Sequence, residues 1–423
     1  MNLRNIFLSV ALVASMGCLA ADPTSTDYTY SQCEGSATPY PAEIMPAPYP
    51  DSLQAVFVNH VGRHGARYLS SASNCLTLRR ALAKADSAKT ITPLGRQLRE
   101  LNERIISLST DRWGALDSLG MAEQRSIAAR VFYNFGSVFT SGGTVEARSS
   151  YSPRAMMSMY CFTHQLDRMN NRMNFITTTG RVNSRTLRPF DLDEDYIQFR
   201  KEDVWKPAYE EYFHANCPTS AIRKVLGERY PFASEEEERS LAMAEYSVVA
   251  GVRAMGLPSE MAKFFSRSEA NALWACNNLR QYLQRTATTV STIPADIAAD
   301  LVLDLIETMD KYIEDPATSP VAVFRFGHAE TLMPLLSLLR FPGCYYMTNY
   351  FDTVASHWRD FDVVPMASNV QFVLFRARES GRYYVRVDLN EKPVALRKGD
   401  STLYYPWGEL RRFMMNCVPL YAQ

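Results

Sequence analysis

Two arginines and a histidine lie close together in the segment Arg63-His64-Gly65-Ala66-Arg67, directly after an apolar run. A guanidinium presents planar N–H donors that match phosphate oxygens, and it stays charged. We expect the pKa of His64 between two such cations to be lowered, which favours a neutral, nucleophilic imidazole. A histidine nucleophile divides one difficult group transfer into two easier ones. The segment therefore predicts a phosphate site attacked by His64, with Gly65 allowing the backbone to approach the ligand closely.

A second polar cluster, with two arginines, lies at the end of another predicted strand, at residues 148–154. Its last member, Arg154, could join Arg63 and Arg67 around a phosphoryl group. Three guanidinium groups would stabilise the charge on the transferring group and so replace the metal ions that often serve phosphoryl transfer. We therefore expect Arg63, Arg67 and Arg154 to bind phosphate.

A third cluster, His328-Ala329-Glu330, contains the acid that the first two clusters lack. If this segment is extended, side chains two residues apart lie on the same side of the chain. His328 could then donate a hydrogen bond to a phosphate oxygen. Glu330 could protonate the leaving oxygen and afterwards activate water against a phosphohistidine.

A metal site is the main alternative interpretation of the first cluster. His60 and His64 are four residues apart, a spacing that would place both on one face of a helix. However, the segment follows a strand pattern, and Arg63 and Arg67 would repel a divalent cation. The cysteines are widely spaced without a Cys-x-x-Cys pair, which argues against a zinc ribbon. The sequence therefore predicts neither a metal nor another cofactor.

Each polar cluster lies at the end of a short segment that has the pattern of a strand. These segments are LQAVFVNHV from residue 53, TVEARSS from 144 and PVAVFRFG from 320. Helical patterns separate them, and VQFVLFRARESGRYYVRVDL near the end predicts a β-hairpin. This alternation predicts an α/β fold with a mainly parallel sheet flanked by helices. Because ligands bind at the carboxyl ends of strands in such sheets, we expect the three clusters to converge.

The middle of the chain shows a different pattern. Residues 166–319 are mostly helical in periodicity and predict a helical domain inserted into an α/β domain of residues 22–165 and 320–423. Arg181, Arg185 and Arg188 in this segment could line a pocket for a polyanion. A solvated basic loop is the simpler interpretation of each, and we leave them out of the predicted site.

The first 21 residues have the pattern of a signal peptide, with Arg4 near the start, an apolar stretch, and small residues up to Ala21. The sequence therefore predicts export to the periplasm or the medium. Gly17-Cys18 leaves a lipoprotein as an alternative. Of eight cysteines, Cys18 would be removed by cleavage and seven would remain, and export would permit disulfides between some of them.

Charge and hydropathy argue against two classes of partner. Lys plus Arg equals Asp plus Glu, 45 each, whereas nucleic-acid-binding proteins usually carry a basic excess. No apolar stretch beyond the N-terminus is long enough to span a membrane. We therefore expect neither a nucleic-acid partner nor a membrane span.

The order and type of these residues resemble the histidine phosphatase superfamily, in its acid phosphatase and phytase branch. Arg-His-Gly-x-Arg at 63–67 matches the signature of that branch. LDSLGMAEQ resembles its Leu-Thr-x-x-Gly-x-x-Gln segment at Gly120 and Gln124, and Arg154 matches a later phosphate-binding arginine. His-Ala-Glu at 328–330 is the version found in multiple inositol polyphosphate phosphatases, whereas most of the branch has His-Asp.

The resemblance spans roughly residues 53–420 and implies a role for each site residue. His64 would be the nucleophile and Glu330 the proton donor. The remaining site residues would bind the scissile phosphate: Arg63, Arg67, Arg154 and His328. The implied activity is hydrolysis of inositol hexakisphosphate and lower inositol phosphates through a phosphohistidine, without a metal cofactor.

Two other functions remain open on the sequence. A broad-specificity histidine acid phosphatase would use the same residues on small phosphomonoesters, and a non-catalytic phosphate-binding protein would need only the arginines. The pairing of His64 with Glu330 favours an enzyme. One position departs from the family, because Leu69 stands where most members have Pro. This departure affects the shape of the loop and not the chemistry.

Overall fold

The computed structural model describes residues 27–396 and 401–420. The predicted signal peptide, residues 1–21 with the alternative lipidation site at Cys18, lies outside the described residues. A mixed sheet with helices against both of its faces forms the centre of the molecule. The predicted fold class, a mainly parallel α/β sheet flanked by helices, is confirmed.

Eight strands form the sheet in the described part of the chain, in the order β3-β2-β4-β1-β5-β6-β7, with β8 paired to β6. The strands are β1 Leu53–Arg63, β2 Gly143–Ser149, β3 Met173–Thr178, β4 Ala322–Gly327, β5 Asn369–Ala377, β6 Tyr383–Leu389, β7 Lys392–Pro393 and β8 Tyr405–Pro406. The neighbouring strands in the part β3-β2-β4-β1 are parallel to each other, whereas β5 runs antiparallel to β1. β5 and β6 form the predicted hairpin.

The register of the parallel strands brings the three polar clusters together. Arg63 at the end of β1 pairs with Gly327 at the end of β4, and Ser149 at the end of β2 pairs with Phe326. The chain therefore leaves all three strands at the same edge of the sheet. The convergence expected from the carboxyl ends of parallel strands is confirmed.

Helices occupy the long segments between the strands and most of residues 166–319, as the helical patterns predicted. The first nine are α1 Ser73–Ser87, α2 Pro93–Ser109, α3 Ser118–Asn134, α4 Gly136–Phe139, α5 Pro153–Met169, α6 Ser184–Leu187, α7 Glu194–Lys201, α8 Lys206–Asn216 and α9 Ser220–Leu226. The others are α10 Glu235–Ala250, α11 Met261–Phe264, α12 Arg267–Arg285, α13 Ile293–Asp296, α14 Ala299–Glu314, α15 Ala329–Leu338, α16 Val354–His357, α17 Asp360–Val363 and α18 Trp407–Cys417. Local signals fix several ends, such as the capping box of Ser266 with Glu269 at the start of α12.

Apolar side chains pack in three large clusters. One face of the sheet packs on α14 and α15 through residues such as Phe57, and the other packs on α3 and α5 through residues such as Val58. The third cluster is helical and joins α1 and α2 to α9, α10 and α12. Burial of each large apolar side chain contributes about 1.5–3 kcal/mol. The division into domains at residues 166 and 319 stays a prediction.

The cysteines carry no disulfide in the described ranges, where all seven are free thiols. The disulfides expected from export are therefore not found. Five of the seven thiols are buried, and a buried thiol packs as a small apolar side chain; these are Cys33, Cys75, Cys217, Cys276 and Cys344. None of the helices within 27–396 and 401–420 combines the length and apolar character needed to cross a membrane.

Candidate active site

His64 lies one residue beyond the end of β1, where the backbone holds it on two sides. Its N–H donates to the carbonyl oxygen of Gly327 at 3.1 Å, and its own carbonyl oxygen accepts from Ala367 at 3.0 Å. The pairing of β1 with β4 thus places the first cluster beside the third. The rings of His64 and His328 meet edge to face with their centroids 5.5 Å apart.

The contacts of His64 determine its protonation state. The side chain is buried, and Nδ1 lies 2.9 Å from the carbonyl oxygen of Gly65. A carbonyl oxygen only accepts, so Nδ1 carries the hydrogen and Nε2 carries the lone pair. Burial, followed by the charges of Arg63, Arg154 and Arg67, lowers the pKa of His64 well below its usual value. The imidazole is therefore neutral, and Nε2 is available as a nucleophile.

The three predicted phosphate-binding arginines converge beside His64 with unpaired donors. Arg63 is held by the carbonyl oxygen of Val364, which accepts from Nη1 at 2.5 Å. The Nε atoms of Arg63, Arg67 and Arg154 are buried and have no hydrogen-bond partner in the described part of the chain. Burial, then the charges of Arg63 and Arg154, lowers the pKa of Arg67 to about 9. Unpaired N–H donors among like charges form a site suited to an anion.

The loop after β1 packs directly on the first turn of α3. A Cβ on Gly65 would lie 2.4 Å from the carbonyl oxygen of Gly120, and a Cβ on Gly120 would lie 2.2 Å from that of Ala66. Neither position has room for a side chain. The structure thus gives Gly65 a further explanation, because this glycine admits the neighbouring helix, and its close approach to a ligand stays a prediction.

Polar side chains that were not predicted to belong to the site hold this loop in place. Glu123 of α3 accepts from the N–H of Ala66 at 2.7 Å, and Ser158 of α5 accepts from that of Gly65 at 3.1 Å. Gln124 donates to the last carbonyl oxygen of β1 at 3.0 Å. The family-like segment LDSLGMAEQ signalled Gln124, whereas Glu123 and Ser158 had no signal in the sequence.

Leu69, which departs from the family pattern, fixes the same loop by packing. A Cβ on Gly251, just after α10, would lie 2.2 Å from Cδ2 of Leu69, so the two residues are in tight contact. The carbonyl oxygen of Leu69 also accepts from the N–H of Gly114 at 2.7 Å. Side-chain packing and a backbone hydrogen bond thus hold the loop without the rigid ring of a proline.

His328 follows β4 and is neutral in this environment. Nη1 of Arg188 and the hydroxyl of Ser150 each lie 2.9 Å from its Nε2. Because a guanidinium only donates, Nε2 accepts and Nδ1 carries the hydrogen. Burial lowers the pKa of His328 to about 3; Glu330 opposes this shift, and Arg154 and Arg188 add to it. Nη2 of Arg154 also approaches Nδ1, at 3.4 Å, but the contact of Arg188 with Nε2 is shorter and decides the tautomer, so the ring offers an N–H donor from Nδ1.

Glu330 lies in the first turn of α15, so the assumption of an extended segment was wrong. His328 has extended backbone angles, and the helix begins at Ala329. The carboxylate is 36% exposed, and its Oε1 accepts from Nη2 of Arg285 at 3.0 Å. Burial would raise the pKa of Glu330, but opposing interactions, led by the charge of Arg285, hold it well below its usual range. The carboxyl group is therefore ionised in the free protein.

Two arginines of the segment 166–319 reach the site. Sequence patterns favoured a solvated loop for Arg188, but its side chain is only 16% exposed and donates to His328. Arg185 does match the solvated interpretation, because it is 79% exposed and pairs with Asp300. Arg285, the last residue of α12, had no signal in the sequence, since only the tertiary fold brings it to Glu330.

Two other residues of the polar clusters do not join the site. Arg148 forms ion pairs with Glu146 at 2.8 Å and Asp304 at 2.9 Å. His60 packs among the rings of Phe162, Phe324 and Phe326. Among the residues that the structure describes, no group of three or more His, Cys, Asp and Glu side chains could hold a metal ion.

The chain is similar in sequence to a known family and to known phosphatases. The model of the histidine phosphatase superfamily (branch 2) matches residues 56–390. The chain belongs to this superfamily. Multiple inositol polyphosphate phosphatase 1 of Gallus gallus is 25% identical over 297 residues, which cover 67% of this chain and 65% of the relative. The protein of the same name from Homo sapiens is 26% identical over 318 residues, 69% of this chain and 64% of the relative. This chain thus spans just under two thirds of the length of these curated relatives.

Solved structures of this superfamily share the fold. The multiple inositol polyphosphate phosphatase of Bifidobacterium longum, solved in complex with inositol hexasulfate, matches with a TM-score of 0.77 and 19% identity. The match covers 92% of this chain and 99% of that chain. The phytase from D. castellii matches with a TM-score of 0.69 and 14% identity, over 96% of this chain and 90% of that one. The resemblance inferred from the sequence motifs is confirmed.

Proposed function

We propose that this histidine phosphatase hydrolyses inositol hexakisphosphate and lower inositol phosphates through a phosphohistidine intermediate. One observation carries the proposal: a neutral His64 with a free lone pair on Nε2 lies among three arginines with unpaired, buried Nε–H groups. Arginine N–H donors bind phosphate oxygens and would hold the phosphorus close to Nε2. Binding of phosphate alone would not require the nucleophilic form of the imidazole.

In the first step, Nε2 of His64 attacks phosphorus while the bond from phosphorus to the leaving oxygen breaks. Arg63, Arg67 and Arg154 stabilise the charge on the phosphoryl oxygens. The Nδ1–H group of His328 donates to one of these oxygens. A proton moves from the carboxyl group at position 330 to the leaving oxygen, so that an alcohol departs rather than an alkoxide.

In the second step, water hydrolyses the phosphohistidine. Glu330, now a carboxylate, accepts a proton from the water while the water oxygen attacks phosphorus. The N–P bond breaks, the electron pair returns to Nε2 of His64, and inorganic phosphate leaves. The cycle ends with a neutral imidazole and a protonated Glu330, and no step uses a metal ion.

The surroundings of the site support a substrate with several phosphates. A pocket of about 230 Å³ beside the nucleophile's loop is lined by Arg67 and Arg280. Additional cations in a concave site raise the local concentration of polyanions. The His-Ala-Glu sequence and the relatives named multiple inositol polyphosphate phosphatase support the same class. A small phosphomonoester would use the residues around His64, including Arg67, and leave Arg280 unused.

The proposal includes export and two domains. The pattern of residues 1–21 supports release to the periplasm or the medium, which cell fractionation would test. An α/β domain of residues 22–165 and 320–423 would carry the nucleophile. A mostly helical domain of residues 166–319 would contribute Arg188 and Arg285 to the pocket.

A comparison of kcat/KM between two substrates tests the proposed substrate class. We expect the kcat/KM for inositol hexakisphosphate to exceed that for glucose 6-phosphate by about tenfold or more, which corresponds to ~1.4 kcal/mol. Equal values would favour the broad-specificity acid phosphatase. Binding of inositol hexakisphosphate without release of phosphate would favour the non-catalytic phosphate-binding protein. Full activity in His64→Ala would contradict the proposed mechanism.

A further inference from the structure

Arg285 joins the end of α12 to the proposed proton donor. Its Nη2 donates to Oε1 of Glu330 at 3.0 Å, and its side chain is only 15% exposed. Its Nε and Nη1 atoms are buried and have no hydrogen-bond partner among residues 27–396 and 401–420. Nη2 of the guanidinium is therefore paired with the carboxylate of Glu330, whereas the N–H groups of Nε and Nη1 have no acceptor in the described residues.

This contact opposes the role of Glu330 as an acid. A general acid must carry a proton before the first step, but a guanidinium at hydrogen-bond distance stabilises the carboxylate. The pKa of Glu330 is indeed held well below its usual range, and after burial, which would raise it, the charge of Arg285 has the largest effect. Glu330 can gain a proton in the complex only if other anions offset this positive charge.

The other groups that act electrostatically on Glu330 come from several elements. They are Arg63 at the end of β1, Arg67 in the following loop, Arg154 on α5, and His328 and the backbone N–H of Glu330 at the start of α15. The scissile phosphate would offset Arg63, Arg67 and Arg154 in every phosphomonoester complex. Arg285 is the remaining cation, and its unpaired donors are available for a second anionic group.

The positive charge continues beyond Arg285. Burial lowers the pKa of Arg280; Tyr209 opposes this shift, and the charges of Arg285 and Arg200 add to it. Arg280 in turn lines the same pocket as Arg67. A substrate with several phosphates can therefore occupy the region around His64 and reach the neighbouring cations at the same time.

We propose that Arg285 is a specificity-determining residue that lets Glu330 take up its proton only when a second phosphate group of the substrate binds to the guanidinium. This inference rests on the proposed function. The second phosphate replaces the carboxylate as the partner of Arg285, and Glu330 takes a proton from solvent and passes it to the leaving oxygen. Monophosphates reach His64 but leave Arg285 paired with Glu330, so their alcohols leave slowly.

The pH dependence of kcat tests this inference with two substrates whose leaving groups need a proton, inositol hexakisphosphate and glycerol 2-phosphate. Arg285→Gln removes the cation, so Glu330 keeps its proton to a higher pH. For glycerol 2-phosphate, the alkaline decline of kcat should move upward by about 1 unit or more, because an adjacent opposite charge shifts a carboxyl pKa by about 1–3 units. For inositol hexakisphosphate the shift should be less than about half as large, since the substrate already offsets Arg285.

Arg285→Lys is the matched control, because it keeps the charge and should keep the wild-type pH profile on glycerol 2-phosphate. Thermal unfolding checks that each variant is folded, and Arg285→Met takes the place of Arg285→Gln if the latter does not fold. An unchanged profile in the neutral variant, an equal shift with both substrates, or an equal effect of Arg285→Lys would overturn the inference. These outcomes leave the proposed function intact, which fails instead if His64→Ala remains fully active.

Discussion

Nη1 of Arg188 lies 2.9 Å from Nε2 of His328, and this contact determines which nitrogen of His328 carries the hydrogen. Because a guanidinium cannot accept, Nε2 must, and the N–H donor is left on Nδ1. An arginine from a loop of the segment 166–319 thereby orients a donor that follows β4. The phosphate site thus depends on a residue distant in sequence from all three polar clusters.

Replacement of Arg188 by alanine should lower kcat/KM for inositol hexakisphosphate by about tenfold or more. A hydrogen bond with a charged donor contributes roughly 1.5–3 kcal/mol, and its loss would let the ring of His328 change tautomer. Arg185→Ala is the matched control, since Arg185 is 79% exposed and pairs with Asp300. The control should stay within about twofold of wild type, as expected for an exposed ion pair. Equal losses of kcat/KM in both variants would attribute the effect to the positive charge of the loop rather than to the hydrogen bond between Arg188 and His328.

Glu330→Gln should slow the release of alcohols far more than that of good leaving groups. A general acid contributes about 10²–10⁴-fold, so we expect a loss of about 10²-fold or more in kcat/KM with inositol hexakisphosphate. The first step with p-nitrophenyl phosphate should slow by less than about tenfold, because p-nitrophenolate leaves without a proton. Single-turnover measurements of alcohol and p-nitrophenolate release separate this step from hydrolysis of the phosphohistidine. Equal slowing with both substrates would remove Glu330 from the donor role.

The strands and their polar ends could be predicted from the sequence because both depend on local patterns. The apolar run ending at Arg63 and the one ending at Gly327 are bounded by polar residues, and the rule for parallel sheets predicts that their ends meet. The helical start at Ala329 was missed, since HAET has no strong helix signal before its apolar run. The structure nevertheless places Glu330 at this end of the sheet, in the first turn of α15, and its role as general acid stays a prediction.

The contacts that tune these groups could not be predicted, because they join distant parts of the chain. Arg285 and Glu330 are separated by 45 positions. Glu123 reaches the loop at Ala66 only because α3 packs on it, a contact that the absence of a side chain at Gly65 permits. Residue type and spacing indicate which groups can react, whereas tertiary packing sets their pKa values and orientations.

Chelation should leave activity unchanged. The charge on the phosphoryl group is offset by arginines in the proposed mechanism, so dialysis against EDTA should change kcat/KM for glucose 6-phosphate by less than about twofold. A small phosphomonoester is the better substrate here, because inositol hexakisphosphate itself binds divalent ions. Strong inhibition that a divalent ion reverses would revive the metal interpretation of His60 and His64.

Glu245 on α10 should make stability depend on pH. Its carboxyl group is fully buried, its oxygens have no hydrogen-bond partner in the described residues, and burial raises its pKa to about 8. Between the unfolded value of about 4.3 and this value, the folded state binds a proton that the unfolded state does not. Stability should therefore fall as pH rises through this interval.

Glu245→Gln places an uncharged amide at this position at every pH. The variant should therefore lack the contribution of Glu245 to the loss of stability at higher pH. Urea unfolding at about pH 5 and about pH 8 should show a smaller decrease in the free energy of unfolding for the variant, by ~1 kcal/mol or more. Other buried carboxyl groups titrate in both proteins and cancel in the comparison. Glu235→Gln, at a position 83% exposed, should behave as wild type. An equal decrease in the free energy of unfolding between the two pH values in wild type and Glu245→Gln would show that Glu245 is not the source of the pH dependence.

Trapping of the covalent intermediate tests the central claim most directly. Wild type and His64→Ala are mixed with inositol hexakisphosphate, quenched in alkali, where phosphohistidine survives, and digested for mass spectrometry. Wild type should carry one added phosphoryl group on the peptide that contains His64, and the variant should carry none and release no phosphate. Phosphate release by wild type without any phosphorylated His64, or an equal rate in the variant, would contradict the account.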